Sequence, residues 1–387
     1  MRTFRGPGPA EGPGPRRTPA HGRVRARGRV TIKVEDWIEG SGDGAGDRDV
    51  RAARLHKVGD IRLSDEPPPV PGPGESLVRV TAVGLCGSDL HWYSEGGIGD
   101  AVLDDPLVVG HEIAGVIEGG PRHGTRVAVD PAIPCGRCGV CATGYGNLCP
   151  DVRFAGHGML DGGLRECLAW PDHLLHPLPD ALSDSDGAML EPLGVAIHAV
   201  DLGHLGLGAP VAVVGCGPIG LLVVQLARLA GASAVVAVDP LPHRRAAALR
   251  LGADHALSPE EAGPAAWTGI DGLDGLGVRV AFEVAGDDDA VRLAMTAARP
   301  GGRVVLAGIP DEDRTSFPAS LARRKGLTLA LVRRMNLTYP RAIRLVENGS
   351  VDVSSLVTER FPLAATADAF AAAVSRRGLK VVVEPCR

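Results

Sequence analysis

A glycine-rich turn between a strand-like and a helix-like segment constrains the fold of this chain more than any other feature. The four residues VAVV before the turn are apolar, and PIGLLVVQLARL after it is an apolar stretch of helical length. Gly215, Gly217 and Gly220 stand where a strand–turn–helix unit needs a tight turn, close approach of a pyrophosphate and close helix–strand packing. Pro218 suits the first helical turn, where an N–H would have no partner. The pattern predicts a phosphate-binding turn in an α/β sheet.

Asp239 extends this pattern. It ends a second apolar segment, AVVAVD, 24 residues after Gly215. A carboxylate at such a position binds the ribose hydroxyls of a dinucleotide and repels a 2′-phosphate, so we expect NAD as the cofactor. Arg244, a few residues further on, favours the opposite choice and leaves NADP as the alternative. A glycine-rich turn in an α/β protein that binds no cofactor is the remaining interpretation.

The order of segments along the chain predicts two kinds of architecture. From residue 211 to about 349, strand-like and helix-like segments alternate, which indicates βαβ units and a parallel sheet. Residues 51 to about 190 contain short strand-like segments separated by turns, and strand SLVRVTAVG is expected to run into a loop. The stretch Leu205–Ala227 is uncharged and long enough to span a membrane, but it contains two prolines and five glycines. We assign it to strand, turn and helix, with no membrane span.

The first fifty residues differ from the rest of the chain. Gly and Pro alternate between residues 6 and 15, and the first thirty residues hold eight Arg and one Glu. We expect a disordered extension or a start site assigned too far upstream; a basic arm that binds an anion and a transit peptide are the alternatives. The remaining chain carries a net charge of −12, so no nucleic-acid partner is expected. Because no apolar secretory signal precedes it, we expect a cytoplasmic protein.

Four of the eight cysteines lie within fifteen residues and predict a metal site. Their spacing is C-x2-C-x2-C-x7-C, formed by Cys135, Cys138, Cys141 and Cys149. Four soft ligands on one short loop suit tetrahedral zinc, and a closed set of four thiolates leaves no open position for substrate. We therefore expect a structural zinc. Reduced thiols and an iron–sulfur cluster are the alternatives.

Three further motifs carry candidate metal ligands that are scattered along the chain. They are GLCGSDLHWY with Cys86, Ser88, Asp89 and His91, VVGHEIAG with His111 and Glu112, and MLEPLGVAIHA with Glu191 and His198. Cys, His and Glu form a plausible open zinc site. Each residue alone is a weak signal, and spacing alone cannot join them.

Taken in order, these motifs together with VVGCGPIG and RRMNLTYPRAI resemble the zinc-dependent medium-chain dehydrogenase/reductase family. The resemblance covers residues 51–387 and is greatest to the polyol branch, the sorbitol (L-iditol 2-) dehydrogenases. It implies a GroES-like β-rich catalytic domain, a Rossmann domain with a doubly wound parallel sheet, and an active site in the cleft between them. The implied ranges are 1–50 for the extension, 51–195 with 336–387 for the catalytic domain, and 196–335 for the Rossmann domain. A homo-oligomer, dimer or tetramer, is also implied.

The resemblance assigns roles to individual residues. Cys86, His111 and Glu112 would hold a catalytic zinc, which with the structural zinc makes two per chain. Glu191 would bind the zinc-bound water, the substrate or the metal itself. Ser88 and His91 would pass a proton outward, with loop packing as the alternative for His91. Besides the glycine-rich turn, the implied cofactor contacts are Ile219, Asp239, Arg244, Gly308, Ile309 and Val332, and the implied substrate contacts are Trp92, Glu191, Arg333 and Arg334.

The implied reaction is the oxidation of a secondary alcohol of a polyol to a ketose. Zinc would lower the pKa of the alcohol, and the hydride would pass to nicotinamide. Two positions depart from the polyol branch: Trp92 stands where a substrate-contacting Tyr is usual, and Arg334 where Tyr is frequent. Indole accepts no hydrogen bond, and Arg334 adds a cation unless it faces solvent. Sugar acids of the L-idonate type and L-threonine are therefore alternative substrates, and a non-catalytic protein that binds zinc and cofactor is an alternative of another class.

Overall fold

The computed structural model describes residues 49–270 and 272–386, so the extension predicted for residues 1–50 lies almost wholly outside the described residues. The strands are β1 (Val50–Lys57), β2 (Asp60–Glu66), β3 (Glu75–Gly84), β4 (Gly97–Ile98), β5 (Ala101–Val102), β6 (Glu112–Glu118), β7 (Arg126–Val129), β8 (Ala132–Ile133), β9 (Arg153–Phe154), β10 (Cys167–Pro171), β11 (Leu175–Pro177), β12 (Val211–Val214), β13 (Val235–Val238), β14 (His255–Leu257), β15 (Val278–Glu283), β16 (Ala298–Leu306), β17 (Thr328–Leu331), β18 (Val357–Pro362) and β19 (Lys380–Glu384). The helices are α1 (Gly87–Glu95), α2 (Gly139–Ala142), α3 (Asp184–Ala188), α4 (Leu190–Gly203), α5 (Pro218–Leu229), α6 (Pro242–Arg250), α7 (Ala266–Gly269), α8 (Asp288–Ala297), α9 (Ala319–Lys325), α10 (Tyr339–Glu347) and α11 (Thr366–Ser375).

A seven-stranded sheet forms the β-rich part of the molecule. Its strand order is β11-β7-β6-β3-β19-β18, and β10 also pairs with β3. All pairs are antiparallel except β18 with β19. The two C-terminal strands thus complete a sheet whose other strands come from residues 75–177. Strand β3 has β6 on one side and β19 on the other, and residues at the ends of these strands include candidate metal ligands.

A six-stranded, wholly parallel sheet forms the second part. Its order is β14-β13-β12-β15-β16-β17. The strand that comes first in the chain, β12, lies in the centre; β13 and β14 extend the sheet on one side of it, and β15, β16 and β17 extend it on the other. Every residue of β12 and β13 is buried, as expected for strands covered on both faces. One core cluster contains residues of α4 and α5, and another contains residues of α8. The predicted α/β class is confirmed, and the crevice beyond the carboxyl ends of β12 and β15 is where such sheets bind ligands.

The segment after β3 is a helix, α1, and the prediction of a loop there is wrong. Cys86 is its N-cap, and the Asp89 carboxylate accepts a hydrogen bond from the Cys86 N–H at 2.8 Å. This reciprocal capping provides partners for N–H groups that a helix start leaves unpaired. The helix ends at Gly96, whose φ of 77° favours glycine. Ser88, His91 and Trp92 therefore project from a rigid helix.

No helix in the described ranges is long and apolar enough to cross a membrane. The uncharged stretch Leu205–Ala227 forms β12, the glycine-rich turn and most of α5, as the sequence predicted.

His176 on β11 makes the stability of the molecule depend on pH. Its ring stacks on Tyr339 of α10 at 4.5 Å between centroids, and the Tyr339 hydroxyl donates to the Val129 carbonyl at 2.7 Å. Burial, with the neighbouring His173, lowers the pKa of His176 to about 4. Between that value and about 6.5 the unfolded chain binds a proton that the folded chain does not, so stability falls as the pH falls through this range.

We expect His176→Phe, which keeps the aromatic stack, to remove part of this loss. Between pH 7 and pH 5 the wild type should lose about 1–2 kcal/mol more free energy of unfolding than the variant, measured by urea denaturation at both pH values. An equal loss in both proteins would show that His176 does not titrate in this way.

Candidate metal centres and cofactor cleft

Cys86, His111 and Glu112 converge on one point. One ligand atom from each lies within 4.8 Å of the others. Cys86 lies two residues after the end of β3, and Glu112 is the first residue of β6, whose register sets it opposite Gly84. His111 is 6% exposed and Glu112 is fully buried. Neighbouring strands thus join residues that sequence spacing could not, and Cys, His and carboxylate are a donor set that zinc accepts, with room for a fourth ligand.

Asp89 orients the histidine of this set. One carboxylate oxygen lies 3.4 Å from His111 Nδ1 and accepts the Gly110 N–H at 3.0 Å. Burial alone would raise the pKa of Asp89, but the charge and hydrogen bond of His111 and the N–H groups outweigh it and lower the pKa. A histidine whose Nδ1 binds a carboxylate presents Nε2 to a metal. Asp89 is among the scattered candidates in the sequence, where no role could be assigned to it.

Lys380, the first residue of β19, binds the third ligand. Its Nζ lies 2.5 Å from both carboxylate oxygens of Glu112, and both side chains are buried. Gly84 makes room for the pair, because a Cβ there would lie 2.0 Å from Glu112 Oε2 and 3.0 Å from Lys380 Cε. Sequence reasoning missed Lys380. The available signal was a lysine at the start of the apolar strand KVVVE in a chain with only four lysines.

Glu191 lies in the first turn of α4 and is 4% exposed. It stands outside the group of three ligand atoms that lie within 4.8 Å of one another. Burial raises the pKa of Glu191 to about 7, although the positive charge of His111 acts in the opposite direction. A buried carboxyl with such a pKa can exchange a proton near neutral pH.

The four cysteines of the loop also converge on one point. The Sγ atoms of Cys135, Cys138, Cys141 and Cys149 all lie within 4.8 Å of one another. The Cys138 thiol accepts the Cys141 N–H, and the Cys149 thiol accepts the Cys135 N–H, each at 3.4 Å. The N–H groups of Arg137 and Cys138 lower the pKa of Cys135 to about 6, whereas loss of solvent and the other thiols raise that of Cys141 to about 12. Four thiolates side by side require a cation, so the site fits zinc.

The glycine-rich turn leads from β12 into α5 as predicted. Gly215 has a φ of 98°, and a Cβ on Gly220 would lie 1.9 Å from the Gly215 carbonyl oxygen. By contrast, the nearest atom to a Cβ on Gly217 is Arg244 Nη1 at 3.9 Å. The turn is therefore tight at its first and third glycines and open at its second, where a pyrophosphate would approach the helix N-terminus.

Asp239 and Arg244 lie beside this turn. Asp239 follows β13, is 3% exposed, and accepts the N–H groups of Cys216 and Leu241, each at 2.8 Å. Arg244 is half-buried, and its Nε is a buried atom without a hydrogen-bond partner. Burial lowers the pKa of Arg244 while the Asp239 charge raises it. A carboxylate that accepts two backbone N–H groups keeps lone pairs for hydroxyls. The Arg244 guanidinium lies beside the open second glycine of the turn, Gly217.

The remaining cofactor candidates follow two other parallel strands. Gly308 and the 46%-exposed Ile309 come after β16, and Val332 comes after β17. All therefore lie at the carboxyl edge of the sheet, on the same side as the glycine-rich turn. The buried Glu283 accepts the N–H groups of Ala285 and Gly286 there, and this support was not anticipated from sequence.

Comparisons with known proteins agree with this geometry. Residues 218–348 match the family model for zinc-binding dehydrogenases, and residues 72–180 match the alcohol dehydrogenase GroES-like domain. Sorbitol dehydrogenase of Bacillus subtilis is 34% identical over 355 residues, which are 88% of this chain and 98% of that protein. The chain belongs to the zinc-binding medium-chain dehydrogenase/reductase family. It is therefore an NAD(P)-dependent oxidoreductase that acts on a CH–OH group.

Solved structures of this dehydrogenase family support the same assignment. The L-idonate 5-dehydrogenase of Escherichia coli has a TM-score of 0.79 at 27% identity, covering 87% of this chain and 98% of that one. A Sinorhizobium meliloti structure, described as a zinc-binding dehydrogenase bound to NADP, has a TM-score of 0.80 at 32% identity, covering 88% and 100%. The predicted family, the GroES-like domain and the Rossmann-type sheet are thus confirmed.

Helix α1 of this dehydrogenase carries three residues with predicted catalytic or substrate roles, Ser88, His91 and Trp92, and their surroundings differ. Ser88 is half-buried in the first turn, two residues from Cys86. His91 Nδ1 lies 3.0 Å from the Glu95 carboxylate and 3.7 Å from that of Asp311. Trp92 is 2% exposed and packs edge-on against the His157 ring, with centroids 5.4 Å apart. Trp92 thus belongs to a core cluster, and its contact with the substrate stays a prediction.

Arg334 of the dehydrogenase is half-buried and does not simply face solvent. Its guanidinium lies 4.2 Å from the centre of the Phe154 ring, and the His111 ring lies 5.2 Å from the same ring. Arg333 is exposed, and its carbonyl accepts the Asn147 side-chain N–H at 3.0 Å. Sequence reasoning did not find Asn147, Phe154 or His157, each of which is a single residue in a loop or short strand without a recognisable spacing.

Proposed function

We propose that this dehydrogenase oxidises a secondary alcohol of a polyol to a ketose, with zinc at Cys86, His111 and Glu112 and with NAD as the hydride acceptor. The observation that carries the proposal is the convergence of these three ligands in a chain whose parallel sheet offers a dinucleotide turn. Bound zinc would acidify the alcohol, and bound NAD would accept the hydride. The identity to sorbitol dehydrogenases supports a polyol substrate.

In this proposal Glu191 acts through a water molecule and does not ligate the metal. Its position outside the group of three ligand atoms supports this choice. With a pKa of about 7, its carboxyl can hold a proton near the reacting hydroxyl at neutral pH. Ser88 and His91 would carry the proton outward. The Glu95 carboxylate holds His91 Nδ1, so Nε2 is the nitrogen available to exchange a proton with solvent.

The direct test is an assay of the purified protein against a panel. Polyols, sugar acids, butanediols and L-threonine would each be offered with NAD and with NADP, and reduced cofactor would be read by absorbance. We expect turnover of compounds with a secondary alcohol on a polyol chain. Turnover of L-threonine alone, or of none of the polyol-derived compounds, would contradict the proposal.

The preference for NAD rests on Asp239. We expect Asp239→Ala to weaken NAD binding at least about tenfold, because the ribose hydroxyls lose their acceptor, while NADP binding changes less. The variant also leaves two backbone N–H groups without their partner, which affects both cofactors equally. The ratio of the two dissociation constants, measured by fluorescence titration, is therefore the informative quantity. An unchanged ratio would contradict the assignment.

The proposal also covers the zinc content, location, domain ranges and oligomeric state of the protein. We propose two zinc ions per chain, a cytoplasmic location, and a catalytic domain of residues 51–195 and 336–387 beside a cofactor domain of residues 196–335. Pairing of β19 with β3, and of β18 with β19, supports the return of the C-terminal segment to the catalytic domain. We also propose a homo-oligomer. In the described residues β17 is an edge strand, and its Leu331 is 74% exposed, which suits a contact with a second copy.

A further inference from the structure

A cavity of about 350 Å³ lies beside the four-cysteine loop. Its lining includes Asn147, Val152, His157, Arg333 and Arg334. Among the residues described as lining it there are two guanidinium groups and an imidazole and no carboxylate. The cavity is adjacent to the catalytic centre, because the Phe154 ring has Arg334 on it at 4.2 Å and His111 at 5.2 Å. A substrate bound at the metal can therefore extend into it.

Arg334 is an unsatisfied cation in this cavity. Its Nη1 is buried and has no hydrogen-bond partner. Of the described carboxylates only Glu191 raises its pKa, whereas burial and Arg333 lower it to about 10, so the group stays charged at neutral pH. A buried donor without a partner is unfavourable unless a ligand supplies an acceptor, and an anionic acceptor makes the stronger bond.

The loop that carries the two arginines is held in place before a ligand binds. The Asn147 side chain donates to the Arg333 carbonyl at 3.0 Å, and the Asn336 side chain donates to the Gly144 carbonyl at 2.9 Å. Arg334 itself has a φ of 56°, which L-residues seldom adopt. Such backbone conformations persist where the surroundings impose them, and they are frequent at ligand sites.

Asn147 supplies the complementary acceptor. Its Oδ1 is buried without a partner, so it can accept a hydrogen bond from a hydroxyl group. The cavity thus offers a cation for an anionic group and an amide oxygen for a neighbouring hydroxyl. A hydroxylated chain that ends in an anion satisfies both, whereas a neutral polyol leaves Arg334 Nη1 unpaired.

We propose that Arg334, assisted by Arg333, selects a polyol derivative with a terminal carboxylate or phosphate over the neutral polyol. This inference rests on the proposed function, because it names the substrate class of the same site. Carboxylate and phosphate share the chemistry that the cavity recognises, a compact anion that accepts charge-assisted hydrogen bonds. The carbon to be oxidised would lie beside Cys86, His111 and Glu112, which would hold the zinc, and the anionic end would lie against Arg334.

The test compares matched substrates and variants. A sugar alcohol, the aldonate of the same stereochemistry and the corresponding terminal phosphate would be assayed with NAD. We expect kcat/KM to be about 10–100-fold higher for one or both anions than for the neutral polyol, and Arg334→Tyr to bring this ratio of kcat/KM values close to one. The two anionic substrates separate a carboxylate site from a phosphate site. Arg324→Met, at an exposed residue of α9, is the charge-matched control and should leave the preference unchanged.

A second measurement keeps the inference separate from the proposed function. Binding of the aldonate and of the phosphate to the NADH-loaded protein would be measured by calorimetry for wild type and Arg334→Tyr. If no substrate is oxidised but the anions bind and the variant loses this binding, the proposed function fails and the anion site stands. If kcat/KM for the neutral polyol equals that for the anions, or if Arg334→Tyr leaves the preference for the anions unchanged, the anion site is wrong and the proposed function stands.

Discussion

Replacing Cys86 by Ser is expected to lower kcat for alcohol oxidation at least about 10³-fold, because a neutral hydroxyl replaces the thiolate of the catalytic set and zinc affinity falls. Cys86 lies with His111 and Glu112 within 4.8 Å, and only two ligands would remain. Metal analysis should give about one zinc per chain, held by the four-cysteine loop, against about two in the wild type. NAD binding should be retained, because the glycine-rich turn belongs to the other sheet.

Cys167→Ser is the matched control for this experiment. Cys167 is the first residue of β10, is half-buried and belongs to neither metal set. It should keep both zinc ions and near-normal kcat. If Cys86→Ser retained both zinc ions and turnover, the assignment of the catalytic metal would be wrong. If it lost all zinc, the four-cysteine loop would not be an independent site.

Lys380→Met is expected to lower the free energy of unfolding of the zinc-depleted protein by about 3–5 kcal/mol. The Lys380 ammonium lies 2.5 Å from both oxygens of Glu112, and both side chains are buried. Methionine fills a similar volume but removes the ammonium that pairs with both oxygens of this buried carboxylate. Urea denaturation of zinc-depleted wild type and variant measures the difference. Added zinc should reduce it, because the metal then supplies positive charge to Glu112.

Two comparisons show whether the ion pair is the cause. The double variant Lys380→Met/Glu112→Gln, which removes both charges, should recover much of the lost stability. Lys57→Met, at an exposed lysine that ends β1, should change stability by less than about 0.5 kcal/mol. Equal losses in the single and double variants would indicate that packing of the lysine side chain, and not its charge, is responsible.

The features that could be predicted from sequence are those in which the interacting residues lie close together along the chain. Four cysteines within fifteen residues can wrap one ion whatever surrounds the loop. The glycine-rich turn with Asp239 specifies a strand–turn–helix unit and the edge of the next strand. Alternating segments predicted the parallel sheet, although not the pairing of β19 with β3 and of β18 with β19.

The candidate catalytic ligands Cys86, His111 and Glu112 could be grouped only through the family resemblance or through the coordinates. Cys86 and Glu112 meet because the register of β3 with β6 sets Gly84 opposite Glu112, and a register shift of one residue would turn Glu112 to the other face of the sheet. Lys380 reaches the pair from β19, almost three hundred residues beyond Cys86 in the chain. No local pattern encodes such distances.

Helix α1 illustrates the same limit at short range. The sequence GLCGSD resembles a loop, and it is helical because Asp89 caps Cys86 while also binding His111 and the Gly110 N–H. The helix start and the candidate ligand His111 thus share one carboxylate. Trp92, on the same helix, lies in a core cluster and packs edge-on against His157, a contact that no local sequence pattern predicts.

The sequence by itself determined the α/β class, the dinucleotide turn and the four-cysteine metal loop, because in each case neighbouring residues carry out the chemistry. Only the tertiary structure decided that Lys380 neutralises Glu112, that Asp89 orients His111, and that Arg334 lies on Phe154 with an unpaired Nη1. These contacts depend on strand register and on a loop pinned to the four-cysteine segment. The tertiary structure also gives the physical reason for the glycines of the dinucleotide turn: a Cβ on Gly220 would lie 1.9 Å from the Gly215 carbonyl oxygen.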